Sequence, residues 1–418
     1  MPRFGARFVS GLGGAYSAVT MDIDDLLAGR TQQMEASAIR EILHAASSPG
    51  ITSLAGGLPA DDSFPLAIMD DLMTTVLRRY GGRALQYDAS EGFEPLREAL
   101  VPHLAARRVA TTAEGLIVFT GSQGVLDALG KVLLSPGDTV AVEAPTYLGA
   151  LQAFNPYEPR YVEVATDDDG LIPEALDAVL ARTRVKFVYL VPTFQNPTGR
   201  TLSLARRRQV AEILQRRNTL LVEDDPYSDL RYTGDPLPPI HSFAPDHVVY
   251  ISTLSKTFAP GLRLGFCVAP EALRRWLVIA RQGVDLHTST LGQALAAEYV
   301  SGGHLERQLP AILDLYRPRQ QAMLDALERH LPEGFRWTRP EGGMFVWVQG
   351  PAGLDAEALN RLVLARGVAF VPGKYFFVNQ EDGVSTLRMN FTAADPAAIE
   401  RAVAVIGDTI TEGAGRGR

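Results

Sequence analysis

The stretch ISTLSKTFAPGLRLGF, residues 251–266, contains a lysine between two small hydroxyl residues and an arginine. It overlaps the apolar run VVYISTLS, so Lys256 lies just beyond the end of a predicted strand. Hydroxyl groups and a guanidinium suit a phosphate dianion, and an amine beside that phosphate can react with an aldehyde on the same ligand. An exposed, solubilising lysine is the ordinary alternative at any single position.

Seven apolar runs alternate with helical patterns along residues 116–270. They are LIVFTG, TVAVEAP, RYVEVA, VKFVYLVP, TLLVEDD, VVYISTLS and RLGFCVAP. Several of them lack polar alternation, which is typical of strands that are covered on both faces. Strands that alternate with helices predict an α/β fold with a mostly parallel, doubly wound sheet. The last run is expected to be an antiparallel edge strand.

The pattern changes after about residue 306. A long helical pattern leads away from the sheet, and four short apolar runs follow it: FRWTRP, GGMFVWVQ, GVAFVPG and TLRMNFT. This order predicts an α+β segment after about residue 306. Residues 1–34 are expected to form a partly disordered N-terminal extension.

Composition excludes several classes of function. The chain has 418 residues and a formal net charge of -8, whereas a general nucleic-acid binder needs a basic face. Its single cysteine, Cys267, excludes an intrachain disulfide and a cysteine-rich zinc site, and its histidines show no metal-ligand spacing. No apolar run reaches the length of about 20 residues that spans a bilayer. We therefore expect a cytoplasmic protein that binds no metal, nucleic acid or membrane.

Polar side chains follow three further predicted strands where each strand ends. The turn at residues 120–124 opens a helix, whose free amide groups favour an anion. Asn196 lies in FQNPTG, at the carboxyl end of a strand, where open α/β sheets bind ligands. Asp224 ends another strand, where a carboxylate can bind a metal, act as a base or pair with a ring cation. Each feature alone also fits an ordinary turn, but together with Lys256 they predict a ligand site.

These features match the needs of pyridoxal 5'-phosphate (PLP). This cofactor requires an amine for its aldehyde, an acid for its ring nitrogen and a cradle for its phosphate. Lys256 would supply the amine and Asp224 the acid. Tyr227 and Asn196 could hydrogen-bond the ring oxygen, and Tyr147 in EAPTYLG could stack on the ring. A core aromatic is the ordinary alternative for Tyr147.

From about residue 35 to about residue 404, the chain resembles the class I and II aminotransferases of PLP fold type I. The motifs that carry the resemblance are LQYDASEGFEPLREAL, TGSQGVLDAL, EAPTYLGAL, QNPTG, EDDPY, SKTFAPGLRLG, GGMFVW and LRMNF. Two further stretches, AIREILHAASSPGITSLAGGLP and RQGVDLHTS, resemble the subgroup of 2-aminoadipate and kynurenine aminotransferases. The resemblance implies a large PLP-binding domain of residues 76–305, with a mostly parallel seven-stranded sheet sandwiched by helices. It also implies a smaller α+β domain formed by residues 35–75 and 306–418.

The resemblance also implies roles for individual residues in cofactor binding. Lys256 corresponds to the lysine that binds the cofactor covalently, and Asp224 to the partner of the pyridine nitrogen. Tyr227 and Asn196 correspond to the ligands of the ring oxygen, and Tyr147 to the stacking aromatic. The residues that correspond to the phosphate cradle are Ser122, Gln123, Thr253, Ser255 and Arg263.

Other residues correspond to positions that contact the substrate or the second subunit. Arg388 corresponds to the arginine that pairs with the substrate α-carboxylate, which a planar guanidinium suits. Gly57 corresponds to a backbone contact near that carboxylate. Arg40 corresponds to an arginine that can meet the substrate side chain, although an exposed helix arginine is the alternative. Tyr87 corresponds to a tyrosine that reaches the phosphate of the neighbouring subunit, which implies a homodimer.

The activity implied by the resemblance is transfer of an amino group between an L-amino acid and a 2-oxo acid in two half-reactions. We expect 2-oxoglutarate and glutamate as one pair. A PLP enzyme of the same fold that catalyses elimination, decarboxylation or oxidation is one alternative, because site residues alone do not decide which bond breaks. A non-catalytic PLP-binding sensor is another, although about 34 residues before the resemblance are too few for a winged-helix domain.

Overall fold

The computed structural model describes residues 23–34, 42, 44, 46 and 48–416. The α-helices in this part of the chain are α1 (Leu66–Tyr80), α2 (Glu94–Ala106), α3 (Ser122–Leu133), α4 (Leu148–Phe154), α5 (Pro173–Arg182), α6 (Leu204–Arg217), α7 (Glu271–Gln282), α8 (Thr290–Ser301), α9 (His304–His330), α10 (Ala356–Leu364) and α11 (Pro396–Arg416). Short 3-10 helices occupy Asp24–Leu26, Gly29–Gln33, Asp61–Ser63, Gly81–Leu85, Ala113–Gly115, Asn155–Tyr157, Ile240–Ser242, Pro245–His247, Pro260–Leu262, Gly373–Phe376 and Gln380–Gly383.

The strands of the same residues are β1 (Thr52–Ser53), β2 (Leu116–Thr120), β3 (Thr139–Glu143), β4 (Arg160–Val164), β5 (Thr166–Asp167), β6 (Gly170–Leu171), β7 (Phe187–Leu190), β8 (Leu221–Asp224), β9 (Val248–Thr253), β10 (Leu264–Val268), β11 (Arg336–Trp337), β12 (Phe345–Gln349), β13 (Val368–Ala369), β14 (Val371–Pro372) and β15 (Thr386–Asn390). Each of the seven apolar runs between residues 116 and 270 therefore contains one strand, as predicted.

A seven-stranded sheet with the order β2-β10-β9-β8-β7-β3-β4 forms the centre of the molecule. The neighbours from β9 to β4 pair in parallel, and β10 is antiparallel to both β9 and β2. The prediction that β10 is antiparallel is confirmed, but the prediction that it lies at an edge is wrong. All five residues of β10 are buried, because β2 pairs with its outer side.

Residues of the central strands alternate between two hydrophobic clusters. Phe187 and Tyr189 of β7 belong to one cluster, and Val188 and Leu190 belong to another. Because successive side chains of a strand point to opposite faces, both faces of the sheet are covered. The predicted α/β sandwich is confirmed, and its buried strands explain why the apolar runs lack polar alternation.

A second, antiparallel sheet has the order β11-β12-β15-β14 and uses the four predicted runs near the C-terminus. The predicted long helix is α9, His304–His330, which packs against α11. Near the other end of the chain, β1 pairs in parallel with β13, and the backbone N–H of Asn390 donates to the carbonyl of Leu54 at 2.7 Å. The strands β1 and β13 form a two-stranded sheet of their own, which the Asn390 hydrogen bond connects to β15 of the second sheet.

The division between the two regions falls at an element boundary. The predicted boundary after residue 75 would cut α1, whose Leu72 and Val76 are buried in one cluster with Leu100 of α2 and Leu295 of α8. We therefore propose to place this boundary at the start of α1, near residue 65. Of the predicted extension at residues 1–34, residues 23–34 contain two short 3-10 helices, and the remainder lies outside the described residues. Within the described ranges, no helix is long and apolar enough to cross a membrane.

Candidate active site

The ends of neighbouring strands bring the predicted site residues together. Asp224 is the last residue of β8, and its register partner on β9 is Ile251, so Thr253 and Lys256 follow at the same edge. Asn196 follows β7, the other neighbour of β8. This edge is formed by the carboxyl ends of the parallel strands, where open α/β sheets bind their ligands.

Lys256 is a partly buried amine that faces a backbone carbonyl. Its Nζ donates a hydrogen bond to the carbonyl oxygen of Gly57 at 3.0 Å. Burial, together with the positive charges of Arg263 and Arg388, lowers the pKa of Lys256 to about 8. A large share of this amine is therefore neutral and nucleophilic slightly above neutral pH.

One carboxylate oxygen of Asp224 accepts a hydrogen bond, and the other has no hydrogen-bond partner among the described residues. Its Oδ2 accepts a hydrogen bond from the Tyr189 hydroxyl at 2.8 Å. Its Oδ1 is buried without a hydrogen-bond partner in the described part of the chain. Burial raises the pKa of Asp224 to about 7, the Tyr189 hydrogen bond opposes this increase, and the charge of Asp225 adds to it. A buried acceptor without a partner is costly, so this oxygen fits a donor such as a ring N–H on a ligand.

A chain of polar contacts connects Arg388 to Asn196 and Tyr227. The Arg388 Nη1 donates to Oδ1 of Asn196 at 2.8 Å, and its Nη2 donates to the carbonyl of Ala55 at 2.5 Å. The Asn196 Nδ2 lies 3.5 Å from the Tyr227 hydroxyl oxygen, to which it donates. Arg388 and Asn196 are each 5% exposed. A buried arginine without a carboxylate contact in this network is suited to receive one from a ligand.

Two aromatic rings flank the Arg388 guanidinium. Its Cζ lies 4.3 Å from the ring centroid of Phe345 and 5.0 Å from that of Phe376. Burial lowers the pKa of Arg388 to about 10, which still leaves it charged at neutral pH. The rings restrict the guanidinium plane and attract its charge through cation–π contacts. The side chain is therefore fixed in orientation before any ligand binds.

The predicted anion cradle lies at the start of α3. Gly121 has a φ of +77° and precedes Ser122, the first helical residue. A Cβ at Gly121 would lie 2.9 Å from Cζ of Arg263, so the guanidinium packs directly against this turn. Together with the unpaired amides at the helix N-terminus, it forms a site for an anion.

Two side chains of the predicted cradle, those of Gln123 and Thr253, already form hydrogen bonds within the chain. The Gln123 amide donates to the carbonyl of Gly149 at 2.7 Å, so only its backbone N–H can face an anion. Oγ1 of Thr253 donates to the carbonyl of Leu264 at 2.7 Å and lies 2.9 Å from Oγ of Ser255. Thr253 therefore orients Ser255, whose hydroxyl is the freer of the two.

Tyr147 immediately precedes α4 and lies near the charged groups of the site. Burial raises its pKa, the charge of Asp224 raises it further, and Arg388 and Arg263 act in the opposite direction. The charges of these three residues therefore reach the phenol of Tyr147, which places it in the neighbourhood of the site.

One predicted site residue, Tyr87, is not part of this group of site residues. Tyr87 is 77% exposed, and its ring packs edge-on against His287 with the ring centroids 5.7 Å apart. Arg40 lies outside the described residues. The site within one chain therefore rests on the other predicted residues.

A cavity of about 1040 Å³ opens elsewhere, between α2, α9 and the segment after β8. Its wall includes Asp225 and Ser228, the chain neighbours of Asp224 and Tyr227, but neither Lys256 nor Arg388. We assign the chemistry to the Lys256 site, because the reactive amine, the free carboxylate oxygen and the oriented guanidinium converge there. Volume alone does not identify an active site.

Sequence reasoning missed Tyr189, Phe345 and Phe376. Tyr189 lies in VKFVYLVP, where a single hydroxyl in a doubly covered strand indicates a buried hydrogen bond. Phe345 and Phe376 are ordinary core residues by sequence, because their contact with Arg388 depends on the pairing of β12 with β15 and on the 3-10 helix Gly373–Phe376.

Comparison with known proteins identifies the family. Residues 51–406 match the family model described as aminotransferase class I and II. The chain is 41% identical to aromatic-amino-acid aminotransferase 1 of Thermococcus litoralis, over 94% of this chain and 96% of that protein. It is 43% identical to a 2-aminoadipate transaminase of Thermus thermophilus, over 91% of this chain and 94% of that protein.

A solved structure extends the comparison to the fold. Kynurenine aminotransferase of Pyrococcus horikoshii, solved in complex with PMP, superposes with a TM-score of 0.90 at 42% identity, over 94% of this chain and 98% of that chain. The fold and the site thus define an enzyme that acts on amino acids. The chain belongs to the class I and II aminotransferases, and both the predicted family and the predicted PLP fold type I are confirmed. It catalyses transfer of an amino group between an amino acid and a 2-oxo acid.

Proposed function

We propose that PLP, the cofactor of this aminotransferase, binds with its aldehyde at Lys256 and its ring nitrogen at Asp224. The unpartnered Oδ1 of Asp224 carries this proposal, because a buried carboxylate oxygen requires a donor and a protonated pyridine nitrogen is one. A cation at that position would also favour the ionised carboxylate and reverse the effect of burial on the pKa of Asp224.

The other cofactor contacts follow from the same orientation. The ring oxygen would accept from Asn196 and Tyr227, and the ring of Tyr147 would stack on the cofactor. The phosphate would be bound by Ser255, by Arg263 and by the amides of Ser122 and Gln123. Thr253 would act by orienting Ser255, which it contacts at 2.9 Å.

Lys256 would perform the proton transfers of the reaction. When bound, PLP supplies an aldehyde that receives the amino group and a ring that draws electrons from the substrate α-carbon. Nζ of Lys256 would hold the aldehyde in the resting enzyme and, once released by the substrate amine, would take the proton from the substrate α-carbon and hold it for return. Both roles need a neutral amine, which the lowered pKa of Lys256, about 8, favours.

Arg388 would bind the substrate α-carboxylate. Its guanidinium is oriented by Phe345, Phe376 and Asn196, and a planar fork is suited to a carboxylate. Gly57 would contribute a backbone contact beside that carboxylate, and Arg40 is the proposed partner of an acidic substrate side chain. We propose glutamate and 2-oxoglutarate as one amino acid and 2-oxo acid pair in a two-step, ping-pong cycle.

We further propose a cytoplasmic homodimer in which Tyr87 reaches the phosphate of the neighbouring subunit. The exposed phenol of Tyr87 supports this role, since a large aromatic side chain seldom remains in water without a partner. Three nearby apolar side chains are also more than half exposed: Leu85 at 69%, Val284 at 61% and Leu286 at 51%. A second copy of the chain would cover them.

Half-reaction spectroscopy tests the activity. The purified PLP enzyme is mixed with single amino acids, including glutamate, 2-aminoadipate, kynurenine and aromatic amino acids. We expect the PLP absorbance to be replaced by that of pyridoxamine phosphate, and 2-oxoglutarate to restore it. The Lys256→Ala variant should bind PLP without covalent attachment and show no turnover.

Two outcomes would contradict the proposal. Loss of substrate without pyridoxamine phosphate would indicate elimination, decarboxylation or oxidation instead of transfer. Full activity of Lys256→Ala without an added amine would remove Lys256 from the mechanism. A preference that excludes glutamate would overturn only the proposed pair.

A further inference from the structure

Two tyrosine–carboxylate pairs lie back to back at the end of β8. The Tyr189 hydroxyl donates to Oδ2 of Asp224 at 2.8 Å, and the Tyr250 hydroxyl donates to Oδ2 of Asp225 at 2.8 Å. Both tyrosines are fully buried, and they belong to different hydrophobic clusters. The same bond is therefore made twice at adjacent residues, but only Asp224 belongs to the cofactor site.

The Tyr189 hydroxyl is suited to control how Asp224 presents its charge. A hydroxyl that donates to a carboxylate stabilises the ionised form. It also occupies Oδ2, so that Oδ1 is the oxygen left without a partner among the described residues. Tyr189 is opposite Val222 on β8, on the same face of the sheet as Asp224, and its ring packs against Phe154 with the centroids 6.1 Å apart. The hydroxyl is thereby fixed by core packing.

The other titratable groups around this pair do not replace the hydroxyl. The charge of Asp225 raises the pKa of Asp224. The charge of Asp224 in turn raises the pKa values of Tyr147 and Tyr227. The charge of Glu143 on β3 likewise raises the pKa of Tyr189. Of the described residues, Tyr189 is the one that donates a hydrogen bond to the Asp224 side chain.

We propose that Tyr189 is a positioning residue of this aminotransferase: its hydroxyl holds Oδ2 of Asp224 so that Oδ1 stays an ionised acceptor for the protonated ring nitrogen of PLP. The proposal rests on the assignment of Asp224 to the ring nitrogen. Its consequence is that Tyr189, which touches neither cofactor nor substrate, affects how strongly the ring draws electrons.

The experiment compares Tyr189→Phe with Tyr250→Phe in the full-length enzyme loaded with PLP that carries ¹⁵N in its ring. The ¹⁵N chemical shift reports whether the ring nitrogen is protonated. In Tyr189→Phe the nitrogen should lose its proton at a lower pH than in the unmodified enzyme. The dissociation constant for PLP should rise about tenfold or more, as expected for a hydrogen bond to a charged group. In Tyr250→Phe the pH at which the ring nitrogen loses its proton should not change. The dissociation constant for PLP should stay within about twofold of that of the unmodified enzyme.

A second substitution covers the case in which Tyr189→Phe does not fold. Replacement of Tyr189 by 3-fluorotyrosine keeps the ring and makes the hydroxyl a stronger donor, so the nitrogen should keep its proton to a higher pH. Unchanged nitrogen titration in both Tyr189 variants would overturn the proposal, and so would equal changes in Tyr189→Phe and Tyr250→Phe. Failure of the Asp224 assignment itself would be recognised separately, because the unmodified enzyme would then show a neutral ring nitrogen.

Discussion

At the scale of single residues, the site contains ionisable groups whose charge is changed by burial. Lys256 lies near Arg263 and Arg388, and burial and both charges favour its neutral form. Burial also favours the neutral form of Asp224, which raises the pKa of this carboxyl group instead of lowering it. Both groups therefore have pKa values close to physiological pH, which is typical of functional sites.

The lowered pKa of Lys256 predicts the pH dependence of cofactor binding. The neutral amine is the nucleophile, so the rate at which the cofactor-free enzyme takes up PLP should rise with pH and level off above about 8. An ordinary lysine would give a midpoint near 10.4. Rapid-mixing absorbance between pH 6.5 and 10.5 measures this rate, and a midpoint near 10 would contradict the prediction.

Replacement of Arg388 by lysine should lower kcat/KM for the amino acid substrate by about 30-fold or more, the effect expected when a buried charged partner is weakened. One ammonium cannot donate in the same plane to Asn196, Ala55 and a carboxylate. Arg231→Lys is the matched control, since that guanidinium also lies over a ring, with its Cζ 4.7 Å from the Phe194 centroid. Comparable losses in both variants would indicate general damage to the fold.

The residues that the sequence predicted best are those at strand ends. Lys256, Asp224 and Asn196 each follow an apolar run, and the topology of parallel strands brings such positions together. Residues inside runs gave a weaker signal: the hydroxyl of Tyr189 indicates a buried hydrogen bond but not its partner, and Phe345 is an ordinary core residue by sequence. Their contacts with Asp224 and Arg388 depend on sheet register and on packing between distant segments.

At the scale of elements, the turn between β2 and α3 connects backbone geometry to anion binding. Gly121 combines a φ of +77° with a ψ of 165°, a region that is essentially restricted to glycine. The same residue leaves room for Arg263. The turn therefore sets both the direction of the helix amides and the position of the guanidinium.

Gly121→Ala should weaken PLP binding about tenfold, an effect of about 1.4 kcal/mol, because the methyl group displaces Arg263. Gly137→Ala is the control: its φ is +82°, and a Cβ there would meet nothing within 4 Å. Both variants should lose about 1–2 kcal/mol of stability from a strained backbone. Equilibrium titration with PLP distinguishes the two variants. Equal PLP affinity in Gly121→Ala and Gly137→Ala would contradict the role of the β2–α3 turn in binding the phosphate.

Strand order shows the limit of prediction at this scale. The runs predicted all seven strands of the central sheet, but not that β10 lies between β9 and β2. Apolar runs indicate burial and not neighbours, and an antiparallel strand is most simply placed at an edge. The uninterrupted apolar run Leu264–Val268 was the available sequence signal for an internal position, and all five of its residues are buried in the structure.

At the scale of the whole molecule, the exposed Tyr87 predicts an active site shared between subunits. Tyr87→Phe alone should reduce PLP affinity and activity about tenfold, as loss of a hydrogen bond to a charged phosphate would. Mixed dimers of one Tyr87→Phe subunit and one Lys256→Ala subunit then test whether Tyr87 serves its own active site or that of the neighbouring subunit. A mixed dimer contains one site with both Lys256 and the partner's Tyr87 intact, so activity should recover to about half that of the unmodified enzyme per dimer.

Absence of recovery on mixing would mean that Tyr87 acts within its own subunit or not at all. Sedimentation of the mixture checks that dimers have exchanged subunits, and two tags on the two variants allow the mixed dimer to be isolated. A monomer at concentrations that give full activity would contradict the proposed homodimer.

The second sheet was predictable, because the change from a βα pattern to an α+β pattern is visible in the order of the runs. The division into two domains stays a prediction, and we propose a first boundary before α1, since this helix continues through residue 75 and shares a buried cluster with α2 and α8. Amphipathic periodicity locates a helix but does not state which neighbour receives its apolar face.

The hydrogen bond between Lys256 and the carbonyl of Gly57 has a consequence for the proposed binding of PLP. Binding at this amine would be an exchange of partners, in which the incoming aldehyde replaces a peptide oxygen that accepts a hydrogen bond from the same nitrogen. The affinity for PLP would then be a difference between two interactions of one nitrogen, and a change that displaces the Gly57 carbonyl should raise that affinity. The Gly57 carbonyl would thus compete with the cofactor for the reactive amine.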